Sequence, residues 1–128
     1  MKIRLTTDSP IYCQPRRLSY REKEEVTKNV DELLEKGIIR PSYAPYASPL
    51  VLVKKKTGEL RMCIDYRSLN RITVRDNFPL PLIEDCLEYL DRKNCFSLLD
   101  LRNSFHQVNM DPESIQYTAF VTPYGHYE

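Results

Sequence analysis

The chain has 128 residues, a formal net charge of +1 and 41% apolar residues, enough for one domain with a buried core. No apolar run is long enough for a membrane-spanning helix, and the N-terminal segment lacks the apolar centre of a signal peptide, so the sequence predicts an intracellular protein. The small net charge neither favours nor excludes nucleic acid as a partner, because binding depends on a local basic surface. The four cysteines contain no C-x-x-C pair, which favours free thiols over zinc or disulfides.

The first regular element is a helix that follows an extended, proline-containing lead-in over residues 1–18. Ser19 and Glu22 form a capping-box pattern at its start. Apolar residues then recur at helical spacing from Val26 onward, and Gly37 supplies the left-handed stop. We interpret this helix as scaffold.

A proline-rich loop over residues 41–49 comes next. Its three prolines fix the path of the chain, which is typical of a rigid connector. Tyr43 and Tyr46 add a second interpretation, because aromatic rings at a loop surface can stack on bases. The sequence leaves both interpretations open.

Residues 50–53 and 60–66 predict two strands of a hairpin that turns at Gly58. Three lysines over 54–56 lie at its tip. Lysines there commonly form a solvated edge that discourages aggregation. Alternatively, Lys and Arg side chains on the two strands can converge on a polyphosphate.

Residues 65–70 predict a local hydrogen-bonded turn with a structural role. A second helix is expected from Pro81, with an apolar face that packs on a sheet. The end of the chain predicts a short helix after Asp111, a strand over 117–122, a turn, and the start of a return strand.

The apolar run over residues 95–99 predicts a buried strand that ends on Asp100. A carboxylate at a rigid strand end is a good ligand for a hard cation. An Asp in this position also commonly caps a turn. The local pattern does not separate these two roles.

FSLLDLRNSFHQV, residues 96–108, resembles the first catalytic motif of reverse transcriptases from gypsy-type LTR retrotransposons. The resemblance extends to PSYAPYASPLVLVKKKTGELRMCIDYRSLN upstream and TAFVTPYGHYE downstream, in the family's order. It implies an α+β fold, in which an antiparallel hairpin and sheet pack on helices. It also implies a lead-in over 1–18, fingers over 19–80 and part of the palm over 81–128.

The resemblance assigns roles to the candidate site residues. Asp100, with the carbonyl of Leu101, would hold two Mg²⁺ or Mn²⁺ ions in the full-length enzyme. The incoming nucleotide would meet side chains and backbone groups of five residues: Lys55, Arg61, Asn103, Ser104 and Phe105. Lys55 and Arg61 align with the triphosphate-binding pair, and Phe105 aligns with the steric gate against a 2′-hydroxyl, although spacing alone also allows a core aromatic. Tyr43 and Tyr46 would lie beside the template strand.

The implied function is that of an RNA-directed DNA polymerase within a retrotransposon polyprotein, in the cytoplasm, in virus-like particles or in the nucleus. Its partners would be an RNA or DNA template-primer, a deoxynucleotide, and the rest of the palm, thumb and RNase H regions, with no membrane. The tyrosine-x-Asp-Asp motif is absent from this sequence, so we expect the chain alone not to polymerise. The alternatives are a non-catalytic module that binds nucleic acid or protein, and a relic without function.

Overall fold

The computed structural model describes residues 1–56, 58–101 and 104–128. The described part forms two compact units, residues 1–74 with 108–128, and residues 75–107. The regular elements, in chain order, are α1 (Tyr20–Glu35), β1 (Ser48–Lys54), β2 (Leu60–Ile64), α2 (Arg67–Ile72), α3 (Ile83–Glu88), a 3-10 helix (Ser104–Gln107), a second 3-10 helix (Ile115–Thr118), β3 (Phe120–Thr122) and β4 (Gly125–Tyr127). None of the helices in these described ranges is long and apolar enough to cross a membrane.

Helix α1 begins as the sequence predicts. The Ser19 hydroxyl accepts a hydrogen bond from the Glu22 amide, and the Glu22 carboxylate accepts one from the Ser19 amide at 2.7 Å. This reciprocal capping satisfies amide groups that a helix start leaves unpaired. Just past its end, Gly37 has a φ of 64°, the left-handed conformation that favours glycine.

The four strands form one mixed sheet in the order β2-β1-β3-β4. The β1–β2 and β3–β4 pairs are antiparallel hairpins, whereas β1 and β3 are parallel, with Ser48 opposite Phe120. The α+β class is therefore confirmed, but the sheet is not antiparallel throughout. The reason is topological, because the chain between β2 and β3 returns to the opposite side of β1.

The core lies between α1 and one face of this sheet. Val26 and Val30 from the helix meet Leu50 from β1 and Phe120 from β3. Alternate residues of the β1–β2 hairpin, Leu52 in β1 and Met62 and Ile64 in β2, add to this cluster. The other face of the hairpin is consequently directed away from the core.

The predicted elements near the C-terminal end shift by a few residues. The Glu113 amide donates to the Asp111 carboxylate at 3.0 Å in a local turn, but the helix that follows is a 3-10 helix that begins at Ile115 after Ser114, so Asp111 does not cap it. Strand β3 begins at Phe120 instead of Tyr117, because Tyr117 belongs to that 3-10 helix. The predicted turn and return strand are present as the β3–β4 hairpin.

The unit over residues 75–107 corrects two predictions. Residues 95–99 do not form a buried strand, since Phe96, Leu98 and Leu99 are exposed and have no regular secondary structure. Helix α3 has no buried residue, so its apolar face does not pack on a sheet. A strand needs a hydrogen-bonding neighbour and a second layer, and the described residues of this unit supply neither to the apolar run.

The turn after β2 depends on Asp65, as the sequence predicts. The Arg67 guanidinium donates two hydrogen bonds to this carboxylate, at 2.8 and 2.6 Å, and the Arg67 amide donates a third. Arg16 from the lead-in approaches the same carboxylate at 3.6 Å. Asp65 thereby joins the lead-in to the start of α2.

This arrangement predicts a pH-dependent contribution to stability. The Arg67 side chain and amide lower the pKa of Asp65 to about 2, below the value of about 3.9 in an unfolded chain. A lowered pKa stabilises the fold above the unfolded value, and that stabilisation is lost as pH falls from about 4 toward about 2. We expect Asp65→Asn to lower the melting temperature at pH 7, with a difference from the wild type that shrinks over that window. Arg67→Gln should show the same convergence, and parallel melting curves at all pH values would contradict the assignment.

Candidate nucleotide and metal site

The β1–β2 hairpin places Lys55 and Arg61 on one face. Arg61 lies opposite Val53, and the Lys55 amide donates to the Glu59 carbonyl at 2.8 Å, which continues the strand register by one pair. Because alternate residues of a strand point to the same face, Lys55 and Arg61 share the face that is directed away from the core. Both side chains are exposed. The hairpin therefore presents two cations that a polyphosphate could bridge.

Gly58 allows the tight turn between these strands. Its φ is 86°, a conformation that residues with a side chain rarely adopt, and its amide donates to the Lys55 carbonyl at 3.0 Å. The turn thereby fixes the backbone of Lys55 relative to that of Glu59.

The sequence interpretation did not identify Glu59 as part of this surface. Its carboxylate accepts a hydrogen bond from the Lys55 ammonium at 2.9 Å, and both side chains are more than half exposed. The signal was a Lys and a Glu four residues apart on either side of a hairpin turn. An exposed ion pair of this kind is weak. A phosphate could therefore take the place of the Glu59 carboxylate.

The second candidate stretch belongs to the other unit. Asp100 and Leu101 lie at the end of a segment without regular secondary structure, and both are exposed. Ser104 and Phe105 follow in a 3-10 helix, while Asn103 lies outside the described residues. Among the described residues, no group of three His, Cys, Asp or Glu side chains could hold a metal ion. The oxygen donors of Asp100 and Leu101 suit Mg²⁺ chemically, but they are too few for a complete site.

Phe105 is not packed in a core within the described part of this chain, because 85% of its surface is exposed. The ring is available to contact a ligand, as a steric gate requires.

The two loop tyrosines differ in exposure. Tyr43 is fully exposed, whereas Tyr46 is only 5% exposed. The Tyr46 ring packs edge-to-face on Tyr117, with ring centroids 5.0 Å apart, and burial is the main cause that raises its pKa. The prediction that Tyr46 stacks on a template base is therefore wrong for this conformation, because its ring is already covered.

A half-buried tyrosine whose contact the sequence interpretation did not identify stabilises the same unit. The Tyr66 hydroxyl donates to the Thr118 carbonyl at 2.8 Å, which connects the end of the hairpin to the segment before β3. Burial raises the pKa of Tyr66 to about 12. No short motif marks this contact, since its two residues are far apart in sequence.

Comparison with known protein families identifies the family of this chain. Residues 53–127 match the family model described as reverse transcriptase (RNA-dependent DNA polymerase). The match covers more than half of the chain, including the last two residues of β1, all of β2 and the Asp100 stretch. The chain belongs to the reverse transcriptase family, whose members generally use divalent metal ions.

Curated relatives are much longer polyproteins. The chain is 43% identical over 128 residues to the retrovirus-related Pol polyprotein from transposon 297 of Drosophila melanogaster, a match covering 96% of this chain and 12% of that polyprotein. For the Pol polyprotein from transposon opus of the same organism the identity is 42%, over 99% of this chain and 13% of the relative. The enzymatic polyprotein of cauliflower mosaic virus (strain Strasbourg) is 38% identical, over 92% of this chain and 18% of its own length.

Solved structures give the same fold. A mutant of the prototype foamy virus protease-reverse transcriptase superposes with a TM-score of 0.78 at 27% identity, over 95% of this chain and 17% of that protein. The foamy viral protease-reverse transcriptase dRH in complex with double-stranded DNA gives a TM-score of 0.73 at 25% identity, over 98% of this chain and 21% of that protein. The reverse-transcriptase fragment fold is thereby confirmed.

Proposed function

We propose that this chain is the fingers and the first part of the palm of an RNA-directed DNA polymerase in a gypsy-type LTR retrotransposon polyprotein. The likeness to Pol polyproteins from transposons 297 and opus supports this proposal, as does the order of motifs along the chain. The chain spans about an eighth of the length of those two relatives, so the polymerase activity belongs to a longer protein. An RNA or DNA template-primer and a deoxynucleotide would be its substrates.

The observation that carries the proposal is the shared outer face of Lys55 and Arg61. In this proposal their side chains bind the triphosphate of the incoming nucleotide, as Glu59 releases Lys55. Arg can form two parallel hydrogen bonds to a phosphate, and Lys acts as a point charge beside it.

Replacement of both cations tests this assignment. We expect Lys55→Ala with Arg61→Ala to weaken deoxynucleoside triphosphate binding to the chain by about tenfold or more, because hydrogen bonds to charged groups contribute roughly 1.5–3 kcal/mol each. The measurement is a titration with a fluorescent deoxynucleoside triphosphate at low and physiological salt. The control variant, Arg17→Ala with Lys28→Ala, removes the same charge from other exposed positions. Equal losses of nucleotide affinity in the two variants would mean that only net charge matters, and would contradict a specific triphosphate site at Lys55 and Arg61.

We assign the metal-binding role in the longer polymerase to Asp100 and the carbonyl of Leu101. Their oxygen atoms would contribute to a site for two Mg²⁺ or Mn²⁺ ions, together with ligands from outside this chain. Such ions lower the pKa of the attacking primer hydroxyl and stabilise the leaving pyrophosphate. Backbone amides near Asn103 and Ser104 would face the triphosphate.

Two aromatic side chains, one in each unit, have proposed roles in substrate binding. We assign Phe105 to the position beneath the sugar, where its exposed ring would clash with a 2′-hydroxyl and select deoxynucleotides. Tyr43 alone, of the two loop tyrosines, is exposed enough to stack on a template base.

The rest of the polymerase is the proposed partner of the 75–107 unit. Every described residue of that unit is exposed, including the large apolar side chains of helix α3 and of residues 95–99. Exposed apolar surface of this extent is typical of an interaction site. In this proposal the remainder of the palm covers it.

A second candidate function is a non-catalytic module that binds nucleic acid. The exposed cations of the hairpin and the exposed ring of Tyr43 favour it, because both features suit single strands. Nucleic-acid affinity that depends on Lys55 and Arg61 but is unchanged by Asp100→Asn in the presence of Mg²⁺ would support this module over metal-dependent substrate binding.

A further inference from the structure

The first six residues contact both segments that flank the 75–107 unit. On one side, Thr6 donates to the Ile72 carbonyl and Val74 donates to the Arg4 carbonyl, each at 2.8 Å. On the other side, Asp111 donates to the Met1 carbonyl at 2.8 Å, and Lys2 forms an ion pair with Glu113 at 2.9 Å. We call residues 1–6 the strap, residues 72–74 the outgoing stem and residues 109–114 the return stem.

Ser114 is the most buried of these contacts. Its side chain is only 1% exposed, although it carries a polar hydroxyl. That hydroxyl accepts a hydrogen bond from the Ile3 amide at 2.9 Å and donates one to the Ile3 carbonyl at 3.4 Å. One serine therefore satisfies both backbone groups of a strap residue, which makes the contact costly to lose.

The strap brings the two stems together. Ile3 contacts Ser114 while the next residue, Arg4, contacts Val74. Consecutive Cα atoms are about 3.8 Å apart, so the hydrogen-bond partners of these two residues lie on the order of 10 Å from each other. The strap thus holds together the two points at which the chain leaves and re-enters the unit formed by residues 1–74 and 108–128. Its hydrogen bonds offset part of the conformational entropy that the chain loses when the ends of the 75–107 segment are brought together.

We propose that the strap couples the two stems through Ser114 and so holds both ends of the segment that carries Asp100. Ser114 is then a positioning residue, because it acts on that segment through the stems. The coupling is inferred from the strap contacts alone. Only its consequence for catalysis rests on the function proposed for Asp100. Loss of a strap contact should therefore loosen both stems together.

Hydrogen–deuterium exchange of the whole chain tests the coupling. We expect Ser114→Ala to raise the exchange rates of the Val74 and Asp111 amides together, by about tenfold, since a buried hydrogen bond contributes roughly that factor to a local opening equilibrium. Ser42→Ala is the matched control. Ser42 is also a buried serine, and its hydroxyl makes two hydrogen bonds, to Glu128 and Ala44, away from the strap. This control should raise exchange near its own contacts and leave both stems unchanged.

A second variant addresses the other end of the strap. Thr6→Pro removes the amide and the hydroxyl that both donate to the Ile72 carbonyl, without changing Ser114, and proline is chosen because it has neither donor. We expect it to raise exchange at Asp111, on the stem that Thr6 does not contact.

Either variant can overturn the proposal. Faster exchange at Asp111 alone after Ser114→Ala, or at Val74 alone after Thr6→Pro, would show that the stems open independently. If Ser114→Ala prevents folding, the Thr6→Pro result decides. Nucleotide titration is a separate readout, so a failed Lys55 and Arg61 assignment would leave the exchange result intact.

Discussion

Replacement of Phe120 by Ala should remove a large part of the free energy that stabilises the folded protein. Phe120 is 4% exposed and joins Val26, Val30 and Leu50 in the core. Its ring also packs on Tyr127, with ring centroids 5.7 Å apart. A buried Phe→Ala change typically costs about 3–5 kcal/mol, a large part of a domain's total of about 5–15 kcal/mol. Urea unfolding followed by far-UV circular dichroism would measure the loss as a lower midpoint.

Phe105→Ala is the matched control for that experiment, because it removes the same ring from a position that is 85% exposed. We expect its unfolding free energy to stay within about 0.5 kcal/mol of the wild type, as is usual for surface positions. A loss comparable to that of Phe120→Ala would mean that Phe105 belongs to a core, and would contradict its assignment as a steric gate.

Local sequence signals predicted the elements that depend on local interactions. The capping box at Ser19 and the glycine turn at Gly58 each involve residues within four positions, so their outcome depends little on the rest of the chain. The parallel pairing of β1 with β3 is different. It joins Ser48 to Phe120, and the sequence around either residue gives no signal that the two strands pair. The expectation of an antiparallel hairpin and sheet came from the family resemblance.

Tyr43 and Tyr46 show the same limit within the candidate site. Both lie in one proline-rich loop, and composition gives no reason to separate them. The separation comes from Tyr117, a residue far along the chain whose ring covers Tyr46 and leaves Tyr43 exposed. Which aromatic side chain can bind a base therefore depends on tertiary packing.

The apolar run before Asp100 shows the limit for burial. The apolar run indicates that residues 95–99 tend to be buried, but it does not say which surface covers them. In the described residues they are exposed. The pattern and the structure agree if the covering layer belongs to the longer polymerase, which is the arrangement that we propose.

The largest functional effect is expected at Asp100. In a reverse transcriptase that contains this chain, Asp100→Asn should lower the rate of nucleotide incorporation by about a thousandfold or more. Asn keeps the shape and one oxygen donor but removes the negative charge that would bind a divalent cation. Metal-ion charge stabilisation contributes several kcal/mol to such a reaction, and each 1.36 kcal/mol corresponds to about a tenfold change in rate. Single-turnover extension of a labelled primer measures the change.

Asp91→Asn provides the comparison, since Asp91 is an exposed carboxylate in the same unit. Within the described residues, its ion pair is with Arg92, at 3.6 Å. Incorporation by this variant should match the wild type. Neither change should alter the melting temperature by much, because both side chains are exposed. If Asp100→Asn instead extends primers as fast as Asp91→Asn does, Asp100 is a turn residue and the catalytic carboxylate must lie elsewhere. If it loses activity together with thermal stability, its role is structural, because a metal ligand on an exposed segment can be neutralised without unfolding the protein.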